Sequence, residues 1–146
     1  MATKKRASIY KFSDHYIIHP DHTTKAGYGI ATGPYVRFSM DKSSTDLAEG
    51  LREALNSGKM NVPNNKEYDT KAYLKSMGFK SLAELHKGSL LCSVDESNDT
   101  LTFFSTINVG SRDGFKFKTD KKIQIPANAS VKDIGNAILE AFSKCE

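Results

Sequence analysis

Cysteine, long hydrophobic runs and net charge are all scarce in this chain of 146 residues. Its two cysteines, Cys92 in a predicted strand and Cys145 near the last residue, form no spaced framework. That excludes a disulfide-stapled fold and suits a reducing compartment. No apolar run approaches the ~20 residues of a membrane span, and no apolar segment follows the basic start Met1 to Arg6. The expectation is a cytoplasmic chain without a membrane partner. The formal charge is +4, and Lys4, Lys5 and Arg6 supply three of those charges on what reads as a flexible basic tail, residues 1–7. The body is then close to +1, which is not the footprint of an obligate nucleic-acid binder. A mass of 16.1 kDa suits a single domain that buries about two-thirds of its unfolded surface and needs no metal or disulfide to fold.

What the chain does have is a pattern written twice. Ser130 to Phe142 repeats Ser43 to Leu55 at an offset of 87 (130 − 43), with Asp46 on Asp133, Leu47 on Ile134, Leu51 on Ile138 and Ala54 on Ala141. Each copy opens with Ser and then Asp three residues later, a capping-box variant, and continues with apolar residues along one helical face. Small residues flank both stripes, Ala48 and Gly50 against Gly135 and Ala137, so the two helices are expected to pack closely. Extended back to Gly27 and Gly114, the alignment holds six identities in 29 positions, where chance gives roughly two. Placement is the better support: Val36 to Phe38 falls on Ile123 to Ile125, and caps, stripe and alternation coincide. Two ordinary strand–loop–helix units would read the same way.

Strands are predicted at Ser8–Phe12, His15–His19, Tyr28–Ala31, Tyr35–Ser39, Ser89–Val94, Thr100–Asn108, Gly114–Lys118 and Lys122–Ile125. Gly58 stands where the first helix should stop. Short helices are expected at Asp69–Met77 and from the capping box Ser81 to Glu84 as far as His86. The chain therefore reads as one domain in four parts: the tail 1–7, a ββββα unit over 8–57, an insertion over 58–88, and a second ββββα unit over 89–146. The expected fold is α+β, two antiparallel β-sheets at a large angle packed around a central helix pair. That topology resembles the Whirly-type fold.

Chemistry is thinly represented. His15 and His19 share a strand face but stand about 13 Å apart at ~3.3 Å per residue, too far for one metal ion. With His22 they read as surface or loop histidines, and no metal is assigned. Gly27 to Pro34 lacks the strand-to-helix placement and the terminal Lys of a phosphate loop. Cys92 lies in the apolar run Leu90-Leu91-Cys92, where a thiol is inert by default. No stretch concentrates His, Asp, Ser and Gly as hydrolases do, so neither enzyme activity nor a cofactor is expected. Tyr28, Tyr35, Arg37, Phe115, Lys116 and Phe117 could stack and neutralise a single strand, which leaves a Whirly-like single-stranded nucleic-acid binder as the alternative. The lysine-rich strand signature of plant Whirly proteins is absent, which disfavours nucleic acid as a partner.

Several segments taken in order, Ser8-Ile9-Tyr10-Lys11-Phe12, Tyr16-Ile17-Ile18, Gly27-Tyr28-Gly29-Ile30, Leu47 to Leu55, Met77-Gly78-Phe79-Lys80-Ser81 and Ile134-Gly135-Asn136-Ala137-Ile138, carry a family resemblance. The chain resembles the immunity proteins of bacterial contact-dependent growth inhibition systems from about Ser8 to Phe142. The resemblance implies a cytosolic protein that binds the toxic C-terminal domain of a large adhesin, commonly a nuclease, in a one-to-one complex and blocks its active site or substrate groove. Recognition is expected on the Pro20–Tyr35 loop and the start of the insertion, where irregular segments lie on a rigid sheet. Tyr28, Tyr35, Arg37 and Tyr68 are the expected anchors. Two acidic patches are candidates beside them: Asp95, Glu96 and Asp99 in a hairpin turn, and Asp41, Asp46, Glu49 and Glu53 around the first helix.

Overall fold

The computed structural model describes residues 4–27, 29–60, 62–63 and 70–146. Tyr28, Tyr68 and the turn at Asn64 and Asn65 lie outside the described residues. The order is β1 (Lys5–Lys11), β2 (His15–Thr23), β3 (Gly29–Ala31), β4 (Val36–Ser39), α1 (Ser44–Ser57), α2 (Thr70–Met77), α3 (Leu82–His86), β5 (Leu90–Ser97), β6 (Thr100–Asn108), β7 (Phe115–Phe117), β8 (Ile123–Pro126) and α4 (Val131–Ser143).

The strands form one curled antiparallel sheet in the order β3-β2-β1-β5-β6-β7, with β4 also on β2 and β8 also on β6. The expectation of two sheets is therefore corrected. β1 and β5 pair along their whole length, from Lys5↔Glu96 to Lys11↔Leu90, so each half completes the other's edge. The same pairing corrects the expected tail over residues 5–7, because Lys5, Arg6 and Ala7 are ladder residues of β1.

Pairing in the two halves corresponds residue by residue. Adding 85 to β2 (103 − 18) and 87 to β4 (123 − 36) carries Ile18↔Val36 onto Phe103↔Ile123, and Tyr16↔Phe38 onto Leu101↔Ile125. The offset read from the helices thus holds for β4 and β8 but not for β2 and β6.

One face of the sheet carries both long helices. Alternation turns Ala7, Ile9, Tyr16, Ile18, Cys92, Val94, Leu101 and Phe103 to that face, where they meet Leu47, Leu51 and Leu55 of α1 and Ile134, Ile138 and Phe142 of α4. Fully burying each of the larger side chains contributes about 2 kcal/mol. Both helices start as their sequences predict. Ser43 Oγ accepts from Asp46 N and Asp46 accepts from Ser43 N, while Ser130 Oγ accepts from Asp133 N. Of the small residues, Gly135 makes the close crossing: a Cβ there would stand 2.7 Å from Ser44 O. Gly50 instead makes room for the Phe38 ring. Gly58 is also a close-approach glycine and not a left-handed cap, since a Cβ would stand 2.5 Å from Asp21 O.

The other face is roofed by the insertion. α2 and α3 bring Tyr73, Leu74, Met77 and Leu85 onto Tyr10, Phe12, Ile17 and Leu91, a second and smaller core.

Candidate partner-binding face

The outward residues of β1 and β2 follow from their pairing. The hairpin sets Ser8 opposite His19 and Arg6 opposite Asp21, and alternation turns these with Tyr10 away from the main core. Between this surface, β3 and the α2–α3 roof lies a cleft of about 410 Å³. Tyr73 Oη bridges its floor, 3.1 Å from Tyr10 Oη and 3.4 Å from His19 Nε2. His19 Nδ1 lies 3.0 Å from Pro20 O and 3.7 Å from Asp21 Oδ1. Ser8 Oγ donates to Asp21 Oδ2 at 2.7 Å. Tyr35 packs against these residues, its ring 5.0 Å from that of His19 and 5.8 Å from that of Tyr73.

Burial sets the electrostatics of this group. It pushes the Tyr10 phenol up to about 12, against the hydrogen bond from Tyr73 and with the help of the Asp21 charge. Tyr35 is raised for the same first reason, with Asp21 again adding. Of the expected surface histidines, His15 and His19 are buried, while His22 is half-buried and its Nδ1 accepts from Lys59 N at 2.9 Å. His19 is ringed by Tyr10, Tyr35 and Tyr73, and His15 packs on Phe12 with Nδ1 at 2.5 Å from Asp14 Oδ1. Among the described residues no three His, Cys, Asp or Glu side chains come together as metal ligands. Cys92 is buried, and burial pushes its thiol well up.

The expected anchors are not gathered in one place. Tyr35 joins the cleft, and Arg37 is exposed on β4, opposite Ile17. Asp95 and Glu96 belong to β5, on the far side of β2 and β1 from β4. They are also not in the hairpin turn, which is the pair Asn98 and Asp99 with positive φ of 52 and 60. Each acid is matched by a cation: Asp95 by Lys4 and Arg6 at 3.3 and 3.6 Å, Glu96 by Arg52 at 2.8 Å. The acids of α1 are different. Glu49 and Glu53 have no ion-pair partner among the described residues and border a groove of about 260 Å³ between α1 and the β4 edge, with Val36 and Phe38 exposed or half-exposed in it.

Sequence reasoning missed Ser8, His19, Asp21 and Tyr73 as one site. The hairpin register around Ser13 and Asp14 would have placed the first three on one face. Tyr73 arrives from 54 residues beyond His19, and no local pattern announces it.

The sheet thus carries two helices on one face and a roofed cleft on the other. The chain matches the CDI immunity protein (CdiI) family over residues 5–145, and it belongs to that family. It is thus an immunity protein that neutralises a toxin of contact-dependent growth inhibition. Two solved structures share the fold. A protein of unknown function from Neisseria meningitidis superposes with a TM-score of 0.82 at 16% identity, covering 99% of this chain and 96% of that one. A CdiA-CT/CdiI toxin and immunity complex from Yersinia pseudotuberculosis gives 0.79 at 17% identity, covering 99% and 98%. No curated protein matches the chain. Among the described residues no helix is long and apolar enough to cross a membrane.

Proposed function

We propose that the chain works in the cytoplasm, where it binds the toxic, nuclease-type domain of a contact-dependent growth inhibition effector one-to-one and covers its active site. It acts by occlusion and contributes no chemistry of its own. The observation that carries this reading is the family match from residue 5 to residue 145, supported by a solved toxin and immunity complex that shares the fold. The proposed contact surface is the β3–β4 side of the sheet. Tyr35 and Arg37, the cleft, and Glu49 and Glu53, unpaired among the described residues, all lie there, whereas Asp95 and Glu96 are already neutralised within the chain. Standard interfaces bury ~1,600 Å² with affinity concentrated in a few anchors, and free carboxylates at a rim speed association with a basic partner.

We also propose that the two halves are copies of one ββββα unit arranged as in Whirly-type folds. The matched registers of β2 with β4 and β6 with β8 support it.

The test is co-expression with the cognate toxin domain. The expected result is a one-to-one complex on sizing and light scattering, with growth restored and nucleic acid left intact. A toxin that stays active in the presence of excess protein refutes the reading.

A further inference from the structure

Asp21 is the group that the fold leaves unbalanced. Its side chain is only 13% exposed and, among the described residues, takes a single side-chain hydrogen bond, from Ser8. Among the described residues no lysine or arginine nitrogen comes within 4.0 Å of it. Carboxylates buried to this degree are ordinarily paired, because desolvation disfavours a lone charge. The obvious candidate is engaged elsewhere: Arg6, its cross-strand neighbour, shares the cleft face and reaches Gly29 with Nη1, but it directs Nε to Asp95 Oδ1 and makes no ion pair with Asp21. His19 Nδ1 is nearer to Pro20 O than to Asp21. The negative field of Asp21 is felt across the cleft, where it adds to burial in raising both Tyr10 and Tyr35.

The surroundings suit an organic cation. The phenol rings of Tyr10 and Tyr73 offer faces and edges to a guanidinium, and Leu82 and Leu85 of α3 line the apolar stem of the cleft. At the mouth, Gly29 contributes no side chain. A volume of about 410 Å³ falls within the ~300–1,000 Å³ of ligand pockets.

We propose that this cleft is the anchor pocket of the immunity protein: it receives an arginine-like side chain of the toxin, whose guanidinium lies against the phenols and completes an ion pair with Asp21. This rests on the immunity reading above and names the site at which it operates.

Two variants test it against the cognate toxin domain. Asp21→Asn keeps an acceptor for Ser8 and removes the charge. Gly29→Leu fills the mouth; a Cβ there meets Arg6 Nη1 at 3.4 Å, an ordinary contact, and Gly29 is not left-handed. Both should unfold like the wild type while binding toxin at least thirtyfold more weakly, chiefly through faster dissociation, and Asp21→Asn should bind with less salt sensitivity. Unchanged affinity in both variants, with wild-type binding intact, overturns this inference and leaves the immunity reading standing. A wild-type protein that binds no toxin overturns the immunity reading itself. Titration with N-acetyl-arginine amide, followed by the Tyr10 and Tyr73 ring resonances, separates the sources of the cation. Amide binding lost in Asp21→Asn alongside unchanged toxin affinity would put a free small cation in the cleft and overturn the assignment to the toxin.

Discussion

Replacing Gly135 by alanine sets two effects of opposite sign against each other at the crossing of α1 and α4. Alanine is favoured over glycine inside a helix by about 1 kcal/mol. Against it, the new Cβ would stand 2.7 Å from Ser44 O, 2.8 Å from Ser44 C and 2.9 Å from Ser44 Cβ. Contact becomes ordinary at 3.4 Å, so the helices must part by about 0.7 Å (3.4 − 2.7). The opposing atoms are backbone of the first α1 residue, beside the Ser43–Asp46 capping box, and they have no rotamer by which to move aside. Overpacking of this kind costs about 1–3 kcal/mol, and disturbing the cap adds about 1 kcal/mol more. The cost exceeds the propensity gain, leaving Gly135→Ala less stable by about 2 kcal/mol, or roughly 6 °C for a domain of this size.

Gly50→Ala is the control. Its Cβ would meet Phe38 Cζ at 2.5 Å, but the tip of a half-exposed ring at the sheet edge can swing away, so the change should stay within about 1 kcal/mol. Urea unfolding followed by far-ultraviolet circular dichroism measures both, with an unchanged m-value confirming a common unfolded state. A Gly135→Ala protein as stable as the wild type, or a Gly50→Ala protein that is the weaker of the two, refutes the packing described for the helix pair.

Three further outcomes follow from the geometry. Arg52 donates to Glu96 Oε1 at 2.8 Å and to Ala127 O at 2.6 Å, tying α1 to β5 and to the loop before α4; Arg52→Ala should cost about 1–2 kcal/mol in urea unfolding, and no loss would show that the clasp is idle. The Tyr10 phenol is raised to about 12 from 10.0, so the folded state holds its proton more tightly than the unfolded chain. The resulting stability is complete below pH ~10 and lost as pH rises towards 12; Tyr10→Phe should flatten that part of the stability profile, and an unchanged slope would refute it. Cys145 is half-buried and Cys92 fully buried, so alkylation at pH 8 should reach Cys145 first and Cys92 only after denaturant is added.

Local signals carried the elements well and the assembly less well. The strands, the Ser43 and Ser130 caps and the apolar stripes were legible because each depends on neighbours in sequence. The joining of the halves was not, since β1 meets β5 across an interval of 85 residues (90 − 5), and an unpaired strand edge does not announce what will cover it. Lys4 and Arg6 looked like a solvated tail because their partner, Asp95, lies 89 residues beyond Arg6 (95 − 6). Histidine alternating with apolar residues at His15, Ile17 and His19 read as exposed when the roof that buries it was hidden in the insertion. The cleft inherits that difficulty: Ser8, Tyr10, His19 and Asp21 share one face of the hairpin through its register, but only the docking of α2 makes a cavity of them.

The halves match in register and differ in cover, and this bears on stoichiometry. An offset of 85 (104 − 19) sets Phe104 where the first half has His19, with the strands around both paired alike. His19 lies under α2, between Tyr10 and Tyr73. Phe104 is outside the smaller core and stacks instead on Phe117, centroids 5.3 Å apart, with Phe117 51% exposed. An aromatic pair can lie half-open on a sheet at little cost, whereas a histidine and a carboxylate can be held at depth only under a roof that supplies hydroxyls. The insertion therefore roofs the charged cleft of one half, whereas the matching face of the other carries Ser93, Thr102, Phe104 and an Asp95 already paired with Lys4 and Arg6. Under the proposed reading, the roofed carboxylate Asp21 is matched at an offset of 85 (106 − 21) by Thr106, so among the described residues the near-twofold pairing offers a basic anchor one such cleft, and one toxin per immunity protein is the expected stoichiometry.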